Sequence, residues 1–128
     1  MTIDMNSRVL GFTFIIVTLV GVIVGQLCIK SGMLQIEDMP DRDYLGTLIA
    51  AFSNIRVLLG LFLAGIAACA WILTLSQLPL SYAYPFMSLT FPTVIYLSSR
   101  MFGESISPAG YLGMALIVVG LVIASIRT

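Results

Sequence analysis

Six basic and six acidic residues are all the formal charge in this 128-residue sequence, and it contains no His. Lys30, Arg56 and Arg100 each stand at the edge of a long uncharged run. Three cations at one membrane depth suit a phosphate, which Arg grips bidentately. They suit equally well as interface anchors whose aliphatic stems lie along lipid. Gln26 lies one turn before Lys30 and shares its helical face. At the end of a helix, Lys30 would also be favoured by the macrodipole. Glu104, four residues past Arg100, either pairs with that Arg or faces a polar chamber. The absence of His removes the usual general base and the commonest metal ligand. No nucleophile, base and orienting group converge, so neither catalysis nor a cofactor or metal is expected. Cys28 and Cys69 fall inside apolar runs and read as small buried hydrophobes.

A second group of chemical interest lies between residues 81 and 99. Nine of those 19 positions carry hydroxyls, Ser81, Tyr82, Tyr84 and Ser88 among them. Pro85 and Pro92 fall in the same stretch, seven apart and on nearly one face. Each proline denies an amide donor to the carbonyl four residues earlier, here Ser81 and Ser88. Within lipid such carbonyls survive where protein or a polar cavity meets them. The segment therefore reads as a cavity lining. Alternatively, the hydroxyls bond back to their own helix and the prolines kink it. Trp71 lies away from the interface belt, so its indole N–H wants a partner in the protein or a ligand. Tyr82 and Tyr84 offer aromatic faces to a sugar or a cation, or pack.

Composition decides the solvent around these residues. Hydrophobic residues make up 59% of the chain and charged residues 9%, with a mean hydropathy of +1.08. A globule this small cannot hide so much apolar surface from water. Lipid is the surrounding medium, which excludes a soluble enzyme and a secreted disulfide scaffold. Zero net charge leaves no electrostatic footprint for nucleic acid.

The charges also mark the spans. Uncharged runs cover 9–29, 57–99 and 105–126, and one crossing takes about 20 residues. The middle run holds two, broken at Gln77-Leu78-Pro79. The expected fold is an all-α membrane protein with four transmembrane helices, about 9–30, 57–77, 81–99 and 108–126, forming a single domain over 1–128. The first run is too long for a signal-peptide core and no A-x-A site follows it, so a permanent helix is expected. Residues 44–55 carry Leu45, Leu48, Ile49, Phe52 and Ile55 on one stripe. They read as an interfacial amphipathic helix, or as an early extension of the second span. An even number of spans puts both termini on one side. Lys30, Arg42, Arg56 and Arg100 fall on one face, Arg8 and Arg127 on the other; the positive-inside rule makes the first face cytoplasmic unless Lys30 and Arg56 serve a ligand. Gly113, Gly120 and Ala124 line one side of the last helix and fit a dimer seam.

Several motifs carry a family resemblance. They are Gly-Gln-Leu-Cys-Ile-Lys at 25–30, Ser-Tyr-Ala-Tyr-Pro-Phe-Met-Ser-Leu at 81–89, Gly103-Glu104 followed by Ser107-Pro108, and the segment from Gly113 to Gly120. On these residues the chain resembles the small multidrug resistance family of the drug/metabolite transporter (EamA-like) superfamily. Within it, the chain is most similar to ArnE/ArnF-type subunits of undecaprenyl-phosphate-aminoarabinose flippases. The resemblance implies a four-helix protomer paired through Gly113 and Gly120, as a homodimer or as a heterodimer with a similar four-helix subunit. It further implies a polyprenyl-phosphate-linked sugar such as 4-amino-4-deoxy-L-arabinose as substrate. That lipid would move from the cytoplasmic to the periplasmic leaflet of a bacterial inner membrane, for lipid A modification.

One departure is informative. The drug exporters of that family carry a membrane-embedded Glu in the first helix, where this chain aligns Val22. No residue from 9 to 29 is acidic, so no intramembrane carboxylate there couples protons to a cationic drug. The leading expectation is thus a flippase subunit. Its lipid phosphate would lie near Lys30, Arg56, Arg100 and Gln26, and its sugar near Trp71, Tyr82, Tyr84, Ser88 and Glu104. Two alternatives stand beside it. One is a small multidrug or guanidinium exporter using Glu104. The other is a non-transporting subunit that docks a partner enzyme through the acidic loop 37–43.

Overall fold

Long apolar runs in lipid must satisfy every backbone amide internally, and the helix does so within one segment. The computed structural model describes residues 4–37 and 43–126, and every regular element among them is an α-helix. In chain order these are α1 (Met5–Ile36), α2 (Tyr44–Phe52), α3 (Ile55–Gln77), α4 (Leu80–Met87), α5 (Thr90–Phe102) and α6 (Pro108–Ile126). By length and composition, α1, α3 and α6 are able to cross a membrane. Asp38, Asp41, Arg42 and Arg127, used above for the acidic loop and the charge balance, lie outside the described residues.

The first helix is longer than expected. Its 32 residues rise about 48 Å, against a hydrocarbon core of about 30 Å. Lys30 is therefore not at its C-terminus, as the sequence reading had it, but within the helix, with Ile36 closing it. The dipole argument for Lys30 falls with that finding.

Helices α1 and α3 form the principal packing pair, and they meet through small residues. A Cβ placed on Gly60 would lie 2.6 Å from the Gly25 carbonyl oxygen and 2.6 Å from Ile29 Cγ1. One on Gly21 would lie 2.9 Å from Ala67 Cβ, and one on Gly32 would lie 2.6 Å from Val57 Cγ2. Without a hydrophobic drive between helices in lipid, such backbone approach is what gains van der Waals energy. Thr18 and Thr74 are buried. Each returns its hydroxyl to its own helix, to the Phe14 carbonyl at 2.8 Å and the Ala70 carbonyl at 2.9 Å. Neither leaves a polar atom unpaired in the core. Cys69, expected to be buried, is exposed on α3, because the buried face runs through Val57, Gly60, Ala67, Ala70 and Thr74.

The segment expected as one helix over 81–99 is two. At the join, Ser88 N–H donates to the Pro85 carbonyl at 3.1 Å, Leu89 N–H to Phe86 at 3.1 Å and Phe91 N–H to Ser88 at 3.2 Å. These are the tight i→i+3 bonds of a 3₁₀ turn. Pro92 explains it: having no N–H, it cannot serve the Ser88 carbonyl, and Phe91 does so instead. Pro92 then occupies the first turn of α5, where a missing donor costs nothing. The hydroxyls of Ser88, Thr90 and Thr93 bond to the carbonyls of Pro85, Met87 and Leu89. For these three the local alternative, bonding back to the chain, is what occurs.

Helix α2 is a separate element. Asp43 caps it by accepting from Gly46 N–H at 2.8 Å, while Leu45, Leu48, Ile49 and Phe52 are exposed along it. Ile55, read as the end of that stripe, begins α3 instead. The division is made by Asn54, which accepts from Arg56 N–H at 2.9 Å and donates to Gln35 Oε1 at 3.0 Å. Capping α3 and tying it to α1 with one side chain fixes where the chain re-enters the bundle. Along α6, Leu121 is the one buried residue, and a Cβ on Gly113 or Gly120 would meet nothing within 4 Å.

Candidate functional site

The ionic chemistry gathers at one end of the α1–α3 pair. Lys30 Nζ lies 3.5 Å from Glu104 Oε1, joining residues 74 positions apart in sequence. The other carboxylate oxygen accepts a hydrogen bond from Ser98 Oγ. Gly103 aims Glu104 there. Its backbone is left-handed (φ 69°, ψ 19°), and its N–H closes α5 on the Ser99 carbonyl at 3.1 Å. A side chain is strained at such a φ.

That turn also corrects the pairing considered from sequence. Leaving the helical path at Gly103, Glu104 does not take the i+4 position above Arg100. Arg100 Nε instead donates to Tyr96 Oη at 3.3 Å, and the guanidinium carbon sits 5.7 Å from the Tyr96 ring centroid. Arg56 reaches α1, donating from Nη1 to Ser31 Oγ at 2.7 Å. Lys30 and the Ser31 that Arg56 engages are thus consecutive on α1, and Gln26 is exposed one turn from Lys30. Arg100 stays on its own helix. Ser31 and Ser98 were not singled out from sequence; nothing in their local pattern separates them from the other hydroxyls.

An open cleft of about 400 Å³ adjoins the carboxylate, walled by Ile95, Ser98, Glu104, Ser105 and Ile106. The Ser98 hydroxyl is the main influence holding the Glu104 carboxyl below the usual range. Partial desolvation opposes it, and the Lys30 ammonium works in the same direction as Ser98. A depressed pKa means the charged clasp is fully present above the ordinary Glu range and is lost only as pH falls through the lower, native value. Carboxyl-¹³C NMR should place the Glu104 midpoint below that of a model peptide. Ser98→Ala should raise it more than Lys30→Gln does; an unshifted midpoint would contradict this account.

The aromatic residues separate into two environments. Tyr82 packs in the core, its ring 5.9 Å from Phe12 and 5.6 Å from Phe86. Trp71 and Tyr84 meet edge-on at 6.1 Å, and Tyr84 is exposed. Tyr84 lines an open groove of about 540 Å³ between α4 and α6, together with Ser81, Ser88, Gly120, Leu121 and Ala124. Tyr84 and Ser88, expected in a chamber, therefore share this groove with Gly120 and Ala124, expected at a dimer seam, whereas Trp71, Tyr82, Glu104 and Gly113 do not line it.

Long apolar helices, a small-residue crossing and sparse charge define a multi-pass membrane protein. Comparison with known proteins makes this specific. The chain is 33% identical over 103 residues, 79% of its length and 84% of the relative's, to the probable 4-amino-4-deoxy-L-arabinose-phosphoundecaprenol flippase subunit ArnE of Escherichia coli. It is 31% identical over 114 residues, 89% of this chain and 95% of the relative, to the ArnE subunit of the same description from Salmonella heidelberg. The chain belongs to the ArnE family of flippase subunits. These relatives are named as parts of a transporter rather than as enzymes. No family model and no solved structure matches the chain.

Proposed function

We propose that this chain is a subunit of a flippase that carries an undecaprenyl-phosphate-linked amino sugar across a bacterial inner membrane, from the cytoplasmic to the periplasmic leaflet. The observation that carries this reading is that Lys30 and the Ser31 bound by Arg56 are consecutive on α1, with Lys30 meeting Glu104 at the wall of an open cleft. A lipid phosphate near Lys30 and Arg56, with Gln26 and Arg100 at the rim, would stay in protein while the prenyl tail remains in lipid. Taking that charge through bare hydrocarbon would cost several kcal/mol or more. Trp71 stands 15 residues beyond Arg56 on α3, about 22 Å along the axis, so Trp71, Tyr84 and Ser88 would meet the sugar at a later stage of its passage, and Tyr82 holds α4 against α1 behind them.

Helices α4 and α5 together would make the fourth crossing. Residues 80–102 rise about 34 Å, enough for the core despite the kink. The outward Gly113 and Gly120, with Ala124, would seat a second four-helix subunit, either a copy of this chain or a sister chain. The exporter alternative is not favoured: Glu104 lies in the turn between α5 and α6, already held by Lys30 and Ser98.

The test is reconstitution in liposomes, alone and with a sister subunit. Undecaprenyl-phospho-aminoarabinose should reach the opposite leaflet at least about tenfold faster than in protein-free vesicles. No acceleration in either preparation would overturn the proposal, and uptake of cationic drugs in place of the lipid would favour the exporter.

A further inference from the structure

The Lys30–Glu104 pair has a property that a phosphate site alone does not need. A site for an anion is strengthened by leaving its cation unpaired, yet here a carboxylate is held against the ammonium by a dedicated turn. Both side chains are roughly half exposed, 42% for Lys30 and 48% for Glu104, so a ligand can reach either. Ser98 fixes one carboxylate oxygen, leaving Oε1 as the atom that meets Lys30. The cleft beside it combines a hydroxyl (Ser105) with apolar walls (Ile95 and Ile106). That mixture suits the ring of a deoxy sugar, which has both C–H and O–H faces.

We propose that the Lys30–Glu104 pair is a resting ion pair that a zwitterionic headgroup replaces. Lys30 takes the phosphate, and Glu104 takes the protonated amine of the sugar. The proposal rests on the flippase reading above and deepens it. The amino group is part of the substrate named for the relatives. A ligand carrying phosphate alone would pull Lys30 away and leave Glu104 facing it as a like charge. A ligand carrying both charges leaves neither partner bare, so the exchange is close to neutral for it and unfavourable for the others. Because the pair joins α1 to the α5–α6 turn, exchange also releases a tie between those two elements. Glu104 is thereby the specificity-determining residue for the amine.

The experiment measures binding of three probes to the purified full-length chain in nanodiscs. The probes are short-chain polyprenyl phosphates bearing 4-amino-4-deoxyarabinose, its N-formyl derivative, and arabinose. The wild type should prefer the amino probe by about tenfold or more, as for a charge-assisted contact. Glu104→Gln should bring that ratio close to one without weakening the N-formyl probe. Glu104→Asp, which keeps the charge, should retain a preference, and so distinguishes loss of recognition from loss of structure. Equal binding of the three probes by the wild type, or a preference that survives Glu104→Gln, overturns amine recognition and leaves the flippase reading standing. Failure of all three probes to bind overturns both.

Discussion

Gly60→Leu should separate α1 from α3 and cost about 3 kcal/mol or more, at or above the upper end of the usual overpacking penalty. The reason lies in what the new side chain would strike. Its Cβ would sit 2.6 Å from the Gly25 carbonyl oxygen and 3.0 Å from the Ile29 amide nitrogen, both backbone atoms that no rotamer change can move. Relief requires the helix axes to part, which sacrifices the contacts at Gly21, Gly32 and Ala67 along the same seam. Gly65→Leu supplies the comparison, since a Cβ there meets nothing within 4 Å and Leu is the better helix former. Unfolding in mixed micelles with increasing SDS should show a loss of roughly two orders of magnitude in the folded ratio for Gly60→Leu. Gly65→Leu should show little change, and equal losses at the two sites would refute the backbone-contact explanation.

The same seam shows what a sequence conveys and what it withholds. Gly25 was visible within Gly-Gln-Leu-Cys, but a glycine on a helix marks a face without naming what approaches it. Gly113 and Gly120 drew attention by their spacing, yet within the protomer they meet open space, while Gly25 and Gly60 meet each other. The spans bounded by charge were legible because hydrocarbon excludes charge, so the second span starts beside Arg56 and ends at Gln77-Leu78-Pro79. The break near Ser88 was half legible: Pro92 announced the lost donor, but whether the chain kinks or splits depends on the i→i+3 bonds that replace it. The partner of Glu104 was hidden. Its neighbour in sequence, Arg100, was the local candidate, and only the left-handed turn at Gly103 redirects the carboxylate to Lys30 on a distant helix.

That redirection makes Lys30 the side chain whose loss should weaken headgroup binding most. Lys30→Gln should lower affinity for the N-formyl lipid, which has no amine for Glu104 to hold, by roughly a hundredfold, combining two effects with one sign. The phosphate loses its ammonium, and the carboxylate of Glu104, no longer neutralised, repels it. Arg56→Gln should cost less, because Arg56 is held by the neutral Ser31 hydroxyl and its removal exposes no opposing charge. Nanodisc binding of Lys30→Gln, Glu104→Gln and the double variant, with the N-formyl lipid as ligand, separates the two effects. With no amine for Glu104 to hold, the double variant should bind that lipid more tightly than Lys30→Gln, recovering the part due to repulsion but not the part due to the lost contact. Identical affinities for Lys30→Gln and the double variant would mean that Glu104 exerts no field on the phosphate, and the two residues would then not belong to one site. Lys30→Arg should retain most of the binding, since the charge remains within reach of the same carboxylate.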